Sequence, residues 1–245
     1  MSKKVVLIVQ ARMGSTRLPG KSMMKLAGEP LVGRMLERLK NCNSINEIIL
    51  AIPFTKENHV LADIGRKYDI KVYRGSENNL VDRYYQSAKE SKADIVVRIP
   101  ADNPTPEPKE IDKIIQNHYT FNSSFFGTNL CNFCNSGYPD GIGAEVFDFS
   151  LLEDLHNRNL TDSQKEHVHT NFLDYNLGIA VNPEWCLVRT LKCPEEIRRP
   201  DIILDVNTID QYKYMNDLYN YLYPRNNNFS IADIIEWHDN IYKKS

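Results

Sequence analysis

Apolar runs and amphipathic segments alternate along the first hundred residues of the chain. Residues 5–9 form an uninterrupted apolar run, which is typical of a buried strand. Apolar side chains then recur at helical spacing between Leu31 and Leu39, so that they share one face. An alternation of this kind predicts βα units, in which each strand is followed by a helix that packs on the sheet.

The same alternation continues to about residue 100 and predicts the core of the fold. Strands are expected at residues 47–52, 70–73 and 94–99, and helices around residues 60–64 and 80–88. We therefore predict an α/β fold of Rossmann-like type, with a mixed, mainly parallel sheet flanked by helices, in a single domain of residues 1–245.

The periodicity weakens in the second half of the chain. Residues 121–149 contain many turn formers, and we expect them to begin an insertion of about residues 121–200 that walls an acceptor pocket. Thr161 and Gln164 fit a capping box, which predicts a helix that carries Glu166, His167 and His169. Further elements are expected as strands at 185–191 and 202–206 and as helices at about 209–223 and 231–242.

Two polar segments are expected at the same edge of the sheet. Parallel strands end at one edge, and open α/β sheets bind ligands outside the carboxyl ends of their strands. The segment 10–21 follows the first strand, and Asp102 follows the strand at 94–99. The sequence therefore predicts that both segments face one site.

The charge balance restricts the classes of partner. The 245 residues include 30 Lys and Arg against 32 Asp and Glu, for a net charge of -2. We therefore expect neither a nucleic-acid partner nor a membrane surface, and any anion site must be local. The apolar run at 5–9 is too short for a signal-peptide core or a membrane span, so a cytoplasmic protein is expected.

Five cysteines form an odd set, which argues against a disulfide framework. Cys131 and Cys134 make a C-x-x-C pair, and with Cys186 and Cys193 they would supply four zinc ligands. However, the second pair is more widely spaced than is typical of zinc sites. Free cysteines in packing or loop positions are expected, with a zinc site as the alternative.

Three cations lie in the segment 10–21, which reads Gln-Ala-Arg-Met-Gly-Ser-Thr-Arg-Leu-Pro-Gly-Lys. Arg12, Arg17 and Lys21 suit a triphosphate, and they would also stabilise the charge that builds up on a leaving pyrophosphate. A solvated basic turn is the alternative. We disfavour it because clustered cations repel one another unless an anion binds.

The same segment offers small and hydroxyl-bearing residues. Gly14 and Gly20 allow the backbone to approach a ligand, and Ser15 and Thr16 add hydroxyl groups. The spacing of the two glycines does not fit a Walker loop. The segment therefore predicts a phosphate-binding loop of another kind.

Asp102 and Asp205 are candidate Mg²⁺ ligands. Each follows an apolar run predicted to be a strand, and Mg²⁺ prefers hard oxygen ligands beside phosphates. An Asp before Asn-Pro is also a common turn former, so Asp102 alone is weak evidence. Two carboxylates from separate strands would hold a metal ion that organises attack at a phosphate.

With these motifs in place, the chain resembles the cytidylyltransferase family that includes the spore-coat polysaccharide protein SpsF and the CMP-Kdo synthetases. The resemblance covers nearly the whole chain, and its most specific part is the segment 10–21. The later motifs occur in the family's order, at residues 73–76, 81–85, 98–104, 138–141, 145–147, 166–168 and 204–206.

The resemblance implies a nucleotidyltransferase fold of the glycosyltransferase-A type, a Mg²⁺-dependent reaction and a homodimer, with the inserted segment serving the acceptor and the dimer. It implies catalytic roles for Arg12, Lys21, Asp102 and Asp205, the last two as metal ligands. The implied nucleotide-binding residues are Gln10, Ala11, Arg12, Gly14, Ser15, Thr16, Arg17, Lys21, Arg83, Pro100 and Ala101. The implied acceptor-binding residues are Asp140, Glu145, Glu166 and His167.

For some of these residues, a role other than the implied one is also open. Arg83 would equally suit a helix surface, paired with Asp or Glu. Pro100 and Ala101 stand where relatives carry a Thr or Gln and then a Gly, which bears on the choice of base. His167 would act as a base, a hydrogen-bond donor or a pocket wall, or would be an ordinary core or surface histidine.

The function that these observations favour is transfer of CMP from CTP to a small anionic acceptor, with a sugar acid for surface polysaccharide as the first candidate. A glycosyltransferase that uses a nucleotide sugar is the alternative enzyme, although the chain has no Asp-x-Asp after a central strand. A non-catalytic nucleotide-binding subunit is the alternative of another class. Aromatic residues are not interleaved with a basic stripe, so a nucleic-acid role is not supported.

Overall fold

The computed structural model describes residues 3–120 and 125–244, and a seven-stranded sheet lies at its centre. The strands are β1 Val5–Gln10, β2 Lys25–Leu26, β3 Glu29–Pro30, β4 Glu47–Pro53, β5 Lys71–Gly75, β6 Ile95–Pro100, β7 Phe125–Thr128, β8 Glu145–Asp148, β9 Leu173–Asp174, β10 Ile179–Ala180 and β11 Leu187–Arg189. The helices are α1 Leu31–Leu39, α2 His59–Lys67, α3 Leu80–Glu90, α4 Pro108–His118, α5 Phe149–His156, α6 Asp162–Glu166, α7 Ile209–Leu222 and α8 Ile231–Asn240.

The central sheet has the order β11-β7-β8-β6-β1-β4-β5. Neighbouring strands run parallel except at β8, which is antiparallel to both β6 and β7. The prediction of a mixed, mainly parallel sheet is therefore confirmed. Since β8 alone is reversed, its first residue lies at the edge where the parallel strands end.

Apolar side chains alternate between the two faces of the sheet, as the pleat of a strand requires. On β6, Val97 and Ile99 pack with α1, α2 and α4, whereas Val96 packs with α3 and α5 on the other face. A third apolar cluster joins α7 and α8 to residues around Leu204. Helices thus cover both faces and leave the carboxyl edge of the strands for loops.

Two predictions about the second half of the chain were wrong, and a third was incomplete. Residues 202–206 do not form a strand, because the sheet pairing there is limited to an isolated bridge between Ile203 and Asp140. The segment 121–149, whose residues 121–124 lie outside the described part, contributes β7 and β8 to the main sheet and is not only a pocket wall. The capping-box helix ends at Glu166, so His167 and His169 follow it.

Candidate active site

The loop after β1 and the turn after β6 meet at the carboxyl edge, as predicted. The Ala101 amide donates to the Gln10 carbonyl oxygen at 3.0 Å, which joins the two segments directly. They open onto a cavity of about 760 Å³, called the larger cavity below. Most of the predicted site residues line it, namely Gln10, Ala11, Arg12, Ser15, Thr16, Arg17, Lys21, Pro100, Ala101, Asp102, Asp140, Glu145, His167 and Asp205.

A second cavity of about 720 Å³, called the smaller cavity, shares a wall with the first. Its lining includes two of the remaining predicted residues, Arg83 and Glu166, together with Glu77, Asn78 and Leu80. Both cavities are lined by Gln10, Ala11, Arg12 and His167. The predicted nucleotide-binding residues are therefore distributed over two adjoining cavities.

The phosphate-binding loop uses its two glycines differently. Gly20 has a φ of 72°, a left-handed conformation that favours glycine, and it precedes the short 3-10 helix Lys21–Met23. Gly14 has open space where a Cβ would stand, and it is not among the residues that line either cavity. Of these two glycines, only Gly20 has a backbone conformation that requires glycine in this structure.

The acidic end of the larger cavity is held together by Lys21 and Asn207. The Lys21 ammonium donates to Asp102 Oδ2 and to Asn207 Oδ1, each at 3.0 Å. The Asn207 amide in turn donates to Asp205. Burial and the charge of Asp102 raise the pKa of Asp205 above its usual value. The two predicted metal ligands therefore lie close enough to repel each other.

Backbone hydrogen bonds bring these carboxylates together although they belong to no pair of strands. The Asp140 amide donates to the Ile202 carbonyl, and the Leu204 amide donates back to Asp140, each at 3.0 Å. The Val206 amide donates to the Asp102 carbonyl at 2.8 Å. The strand prediction for 202–206 failed because these partners come from loops, yet Asp205 is still delivered to the site.

Asp140 is a third carboxyl group beside Asp102 and Asp205. Its burial, with the charges of these two neighbours, raises the pKa of Asp140 to about 7. The following residue, Gly141, has a φ of 93°, and a Cβ there would stand 3.2 Å from the Asp205 amide nitrogen. Glycine at this position thus permits the close approach of the two acidic segments.

Arg98 is a site residue to which the sequence patterns assigned no role. It is 3% exposed, lies on β6 opposite Glu145 of β8, and forms an ion pair with that fully buried carboxylate. The Tyr175 hydroxyl donates to the other Glu145 oxygen at 2.6 Å. The signal in the sequence was a single charged residue inside the apolar strand 95–100, which needs a buried partner.

Arg83 is 3% exposed and lies at the smaller cavity, so the surface alternative is excluded. Its Nη1 donates to the Ser76 carbonyl at 2.8 Å, while Nε is buried and without a partner among the described residues. Burial lowers the pKa of Arg83 to about 10, an effect that nearby Tyr84 opposes and nearby Arg12 adds to. An arginine in this state is suited to bind a polar ligand atom.

The two histidines that follow α6, His167 and His169, line the cavities. Arg12 forms an ion pair with Glu166 at 3.5 Å, which links the phosphate-binding loop to the end of α6. His167 lines both cavities, whereas His169 lines the larger one. Burial, together with the charge of Arg98, lowers the pKa of His169 to about 4. His169 is therefore neutral at pH 7.

Within residues 3–120 and 125–244, no group of three or more His, Cys, Asp or Glu side chains is arranged to hold a metal ion. The zinc alternative fails in particular because Cys186 and Cys193 are buried in separate apolar clusters. Asp102 and Asp205 would thus hold a cation only together with oxygen atoms of a ligand or of water.

In the same described ranges, no helix is both long and apolar enough to cross a membrane.

Comparison with known proteins adds an independent line of evidence. The family model described as cytidylyltransferase matches residues 6–226. The chain is 30% identical over 220 residues to the spore coat polysaccharide biosynthesis protein SpsF of Bacillus subtilis, covering 88% of this chain and 86% of that protein. It is 34% identical over 114 residues to the 3-deoxy-manno-octulosonate cytidylyltransferase of Chloroherpeton thalassium, covering 46% of this chain and 45% of that enzyme.

A solved structure agrees over nearly the full length. The cytidylyltransferase of Leptospira borgpetersenii superimposes with a TM-score of 0.84 at 29% identity, covering 98% of this chain and 95% of that one. The mixed sheet and its flanking helices are therefore those of a nucleotidyltransferase.

Proposed function

The chain belongs to the cytidylyltransferase family, and on that premise we propose that it transfers CMP from CTP to a small anionic acceptor and releases pyrophosphate. The observation that carries this proposal is the shared lining of the larger cavity. There, the cations Arg12, Arg17 and Lys21 line the same cavity as the carboxylates Asp102 and Asp205. A nucleotidyl transfer needs both groups of residues at one phosphate chain.

The nucleotide would span the two cavities. The nucleoside would lie in the smaller cavity, where Arg83 offers buried donors, and the triphosphate would extend along the loop into the larger cavity. Gln10, Ala11 and Arg12 line both cavities, so they would flank the ribose and the α-phosphate. Support for this placement comes from the distribution of cations, since Arg17 and Lys21 line the larger cavity.

Mg²⁺ fits the acidic end of the larger cavity by the chemistry of its donors. Asp102 and Asp205 offer carboxylate oxygens, and Mg²⁺ beside phosphates usually keeps few protein ligands and several waters. When bound, the ion would neutralise charge on the phosphates and help align the attacking oxygen with the α-phosphorus. The Lys21 ammonium, which pairs with Asp102 in this structure, would then be available to the phosphates.

The chain's own residues would supply positioning and charge. Arg12 at the α-phosphate, with Arg17 and Lys21 at the β- and γ-phosphates, would stabilise the negative charge that appears on pyrophosphate as its bond to the α-phosphorus breaks. The acceptor oxygen would attack from the side of Asp140 and His167, which both line the larger cavity. Glu166 lines the smaller cavity and would help to position Arg12, with which it forms an ion pair.

A sugar acid of surface polysaccharide is the proposed acceptor. Two relatives support this class by their names: SpsF is a polysaccharide biosynthesis protein, and the enzyme from C. thalassium is a cytidylyltransferase for a sugar acid, 3-deoxy-manno-octulosonate. We also propose a cytoplasmic homodimer, as the resemblance implies. Light scattering of the purified protein would test the dimer by its mass.

The test of the proposed function is pyrophosphate release with CTP, Mg²⁺ and a panel of sugar acids, including 3-deoxy-manno-octulosonate, against ATP, GTP and UTP. We expect release with CTP and one class of acid, and a cytidylylated product by mass spectrometry. No release with any acid, together with no CTP binding by calorimetry, would overturn the proposal. Release of a free nucleotide from a nucleotide sugar would favour the glycosyltransferase alternative.

A further inference from the structure

The Gln10 side chain lies where the two cavities meet. It is the last residue of β1, and it lines both cavities. Its Oε1 atom accepts a hydrogen bond from Arg98 Nε at 3.1 Å. A polar side chain at this junction would contact a ligand that extends from one cavity into the other.

Arg98 fixes which end of the Gln10 amide faces the junction. A guanidinium group has only donors, so the atom that faces it must be the amide oxygen. The Nε2 amino group therefore does not face Arg98, and among residues 3–120 and 125–244 it has no hydrogen-bond partner. Gln10 thus presents two unused N–H donors at the junction.

Glu145 and Tyr175 in turn fix Arg98. The register of the antiparallel pair β6 and β8 puts Arg98 opposite Glu145, and both side chains are almost fully buried. One Glu145 oxygen accepts from Arg98 and the other from the Tyr175 hydroxyl. Both oxygens therefore already accept a hydrogen bond, and because the side chain is also fully buried, Glu145 is poorly placed to bind an acceptor itself.

We propose that Gln10 donates through Nε2 to an oxygen of the α-phosphoryl group, and that Glu145 is a positioning residue that acts through Arg98 to hold the amide in this orientation. The inference rests on the proposed function, in which the nucleoside lies in the smaller cavity and the phosphates extend into the larger one. The α-phosphoryl group then lies at their junction. Donors fixed in advance at that group stabilise its negative charge without reorganisation.

The experiment uses calorimetry to compare the binding of cytidine, CMP and CTP by the native full-length protein and by its Gln10→Ala variant. We expect Gln10→Ala to weaken CMP and CTP by about tenfold or more, as for loss of one hydrogen bond to a charged group, and to leave cytidine unchanged. The matched control is Gln116→Ala, an exposed glutamine on α4, which should bind all three ligands like the native chain.

The outcomes separate this inference from the proposed function. A native chain that binds none of the three ligands would overturn the proposed function, and the inference with it. Native binding with unchanged CMP and CTP affinity in Gln10→Ala would overturn the inference alone. An equal loss for cytidine would also overturn it, because the amide would then contact the nucleoside.

A double-mutant cycle tests the positioning role of Glu145. We expect Glu145→Gln to weaken CMP by about threefold or more in the native background and to have almost no effect in Gln10→Ala, since its effect passes through that amide. An equal loss in both backgrounds would mean that Glu145 only supports the fold, which contradicts the proposal. If Glu145→Gln does not fold, Tyr175→Phe, which leaves the ion pair intact, should show a smaller loss with the same dependence on Gln10.

Discussion

Replacing Arg83 with Met should stabilise the ligand-free protein while weakening CTP binding. Arg83 is 3% exposed on α3, and no carboxylate within the described ranges forms an ion pair with it. A buried charge without such a partner is costly, whereas Met replaces the apolar stem of the arginine and carries no charge. An arginine kept at this cost is expected to serve a ligand.

The magnitude follows from the electrostatics of the site. Burial lowers the pKa of Arg83 from 12.5 to about 10. At about 1.4 kcal/mol per pKa unit, the buried charge costs the fold about 3 kcal/mol. The Met variant also loses the hydrogen bond from Nη1 to the Ser76 carbonyl, which is worth about 1 kcal/mol. The net expectation is a gain of about 2 kcal/mol, or about 4–8 °C in the unfolding midpoint.

The assay is thermal unfolding with and without CTP, together with calorimetric titration of CTP. We expect a higher midpoint without ligand, a smaller rise on adding CTP, and CTP affinity reduced by about tenfold or more. Arg66→Met on the exposed face of α2 is the control, and it should change neither quantity. A destabilised Arg83→Met with native CTP affinity would refute the reasoning, because Arg83 would then be a structural residue.

Three further predictions concern the other walls of the site. Asp205→Asn should abolish the increase in CTP affinity that Mg²⁺ gives to the native protein, and titrations with and without Mg²⁺ would show an unchanged increase if Asp205 is not a ligand. Gly141→Ala should lower the free energy of unfolding by about 1–3 kcal/mol, since alanine is strained at a φ of 93° and its Cβ would crowd the Asp205 amide; native stability in urea unfolding would contradict this. The folded-state pKa of His169, about 4, is depressed below its usual 6.5, so the unfolded chain takes up the proton first and the contribution of His169 to stability should fall as pH decreases from about 6.5 to 4, by up to about 1.4 kcal/mol per pH unit, while the raised pKa of Asp140 contributes in the opposite direction. His169→Gln should flatten this dependence, and an unchanged slope in urea unfolding at pH 7, 6 and 5 would count against it.

The first half of the fold was predictable because its strands are long and apolar. β1, β4 and β6 are buried on both faces by helices, so their sequences are continuous apolar runs that the pattern identifies directly. Strand polarity then placed Gln10 and Asp102 at the same edge without any knowledge of side-chain positions. The convergence of the loop cations with Asp102 could thus be expected from the sequence alone.

The second half was less predictable because its pattern reports burial but not the pairing partner. Ile202, Leu204 and Val206 are buried, while Ile203 and Asp205 are not, so residues 202–206 alternate like a strand. Their hydrogen-bond partners, however, are backbone groups of loops around Asp140 and Asp102. Alternation is equally compatible with pairing to a strand and with pairing to loops. This explains why the prediction of a strand was wrong while the predicted position of Asp205 at the site was right.

The charges of the site are paired in two physically different ways. Arg98 and Glu145 are buried together on adjacent strands, so separating them would leave an uncompensated charge in the core. Arg12, in contrast, pairs with Glu166 at the exposed surface, and Lys21 pairs with Asp102 in the wall of the larger cavity, where ligand oxygens can replace either partner. Only a cation of the second kind can exchange its carboxylate partner for a triphosphate at low cost. The sequence shows both kinds simply as arginines and lysines, and burial on the sheet decides which of them orient the site and which of them bind.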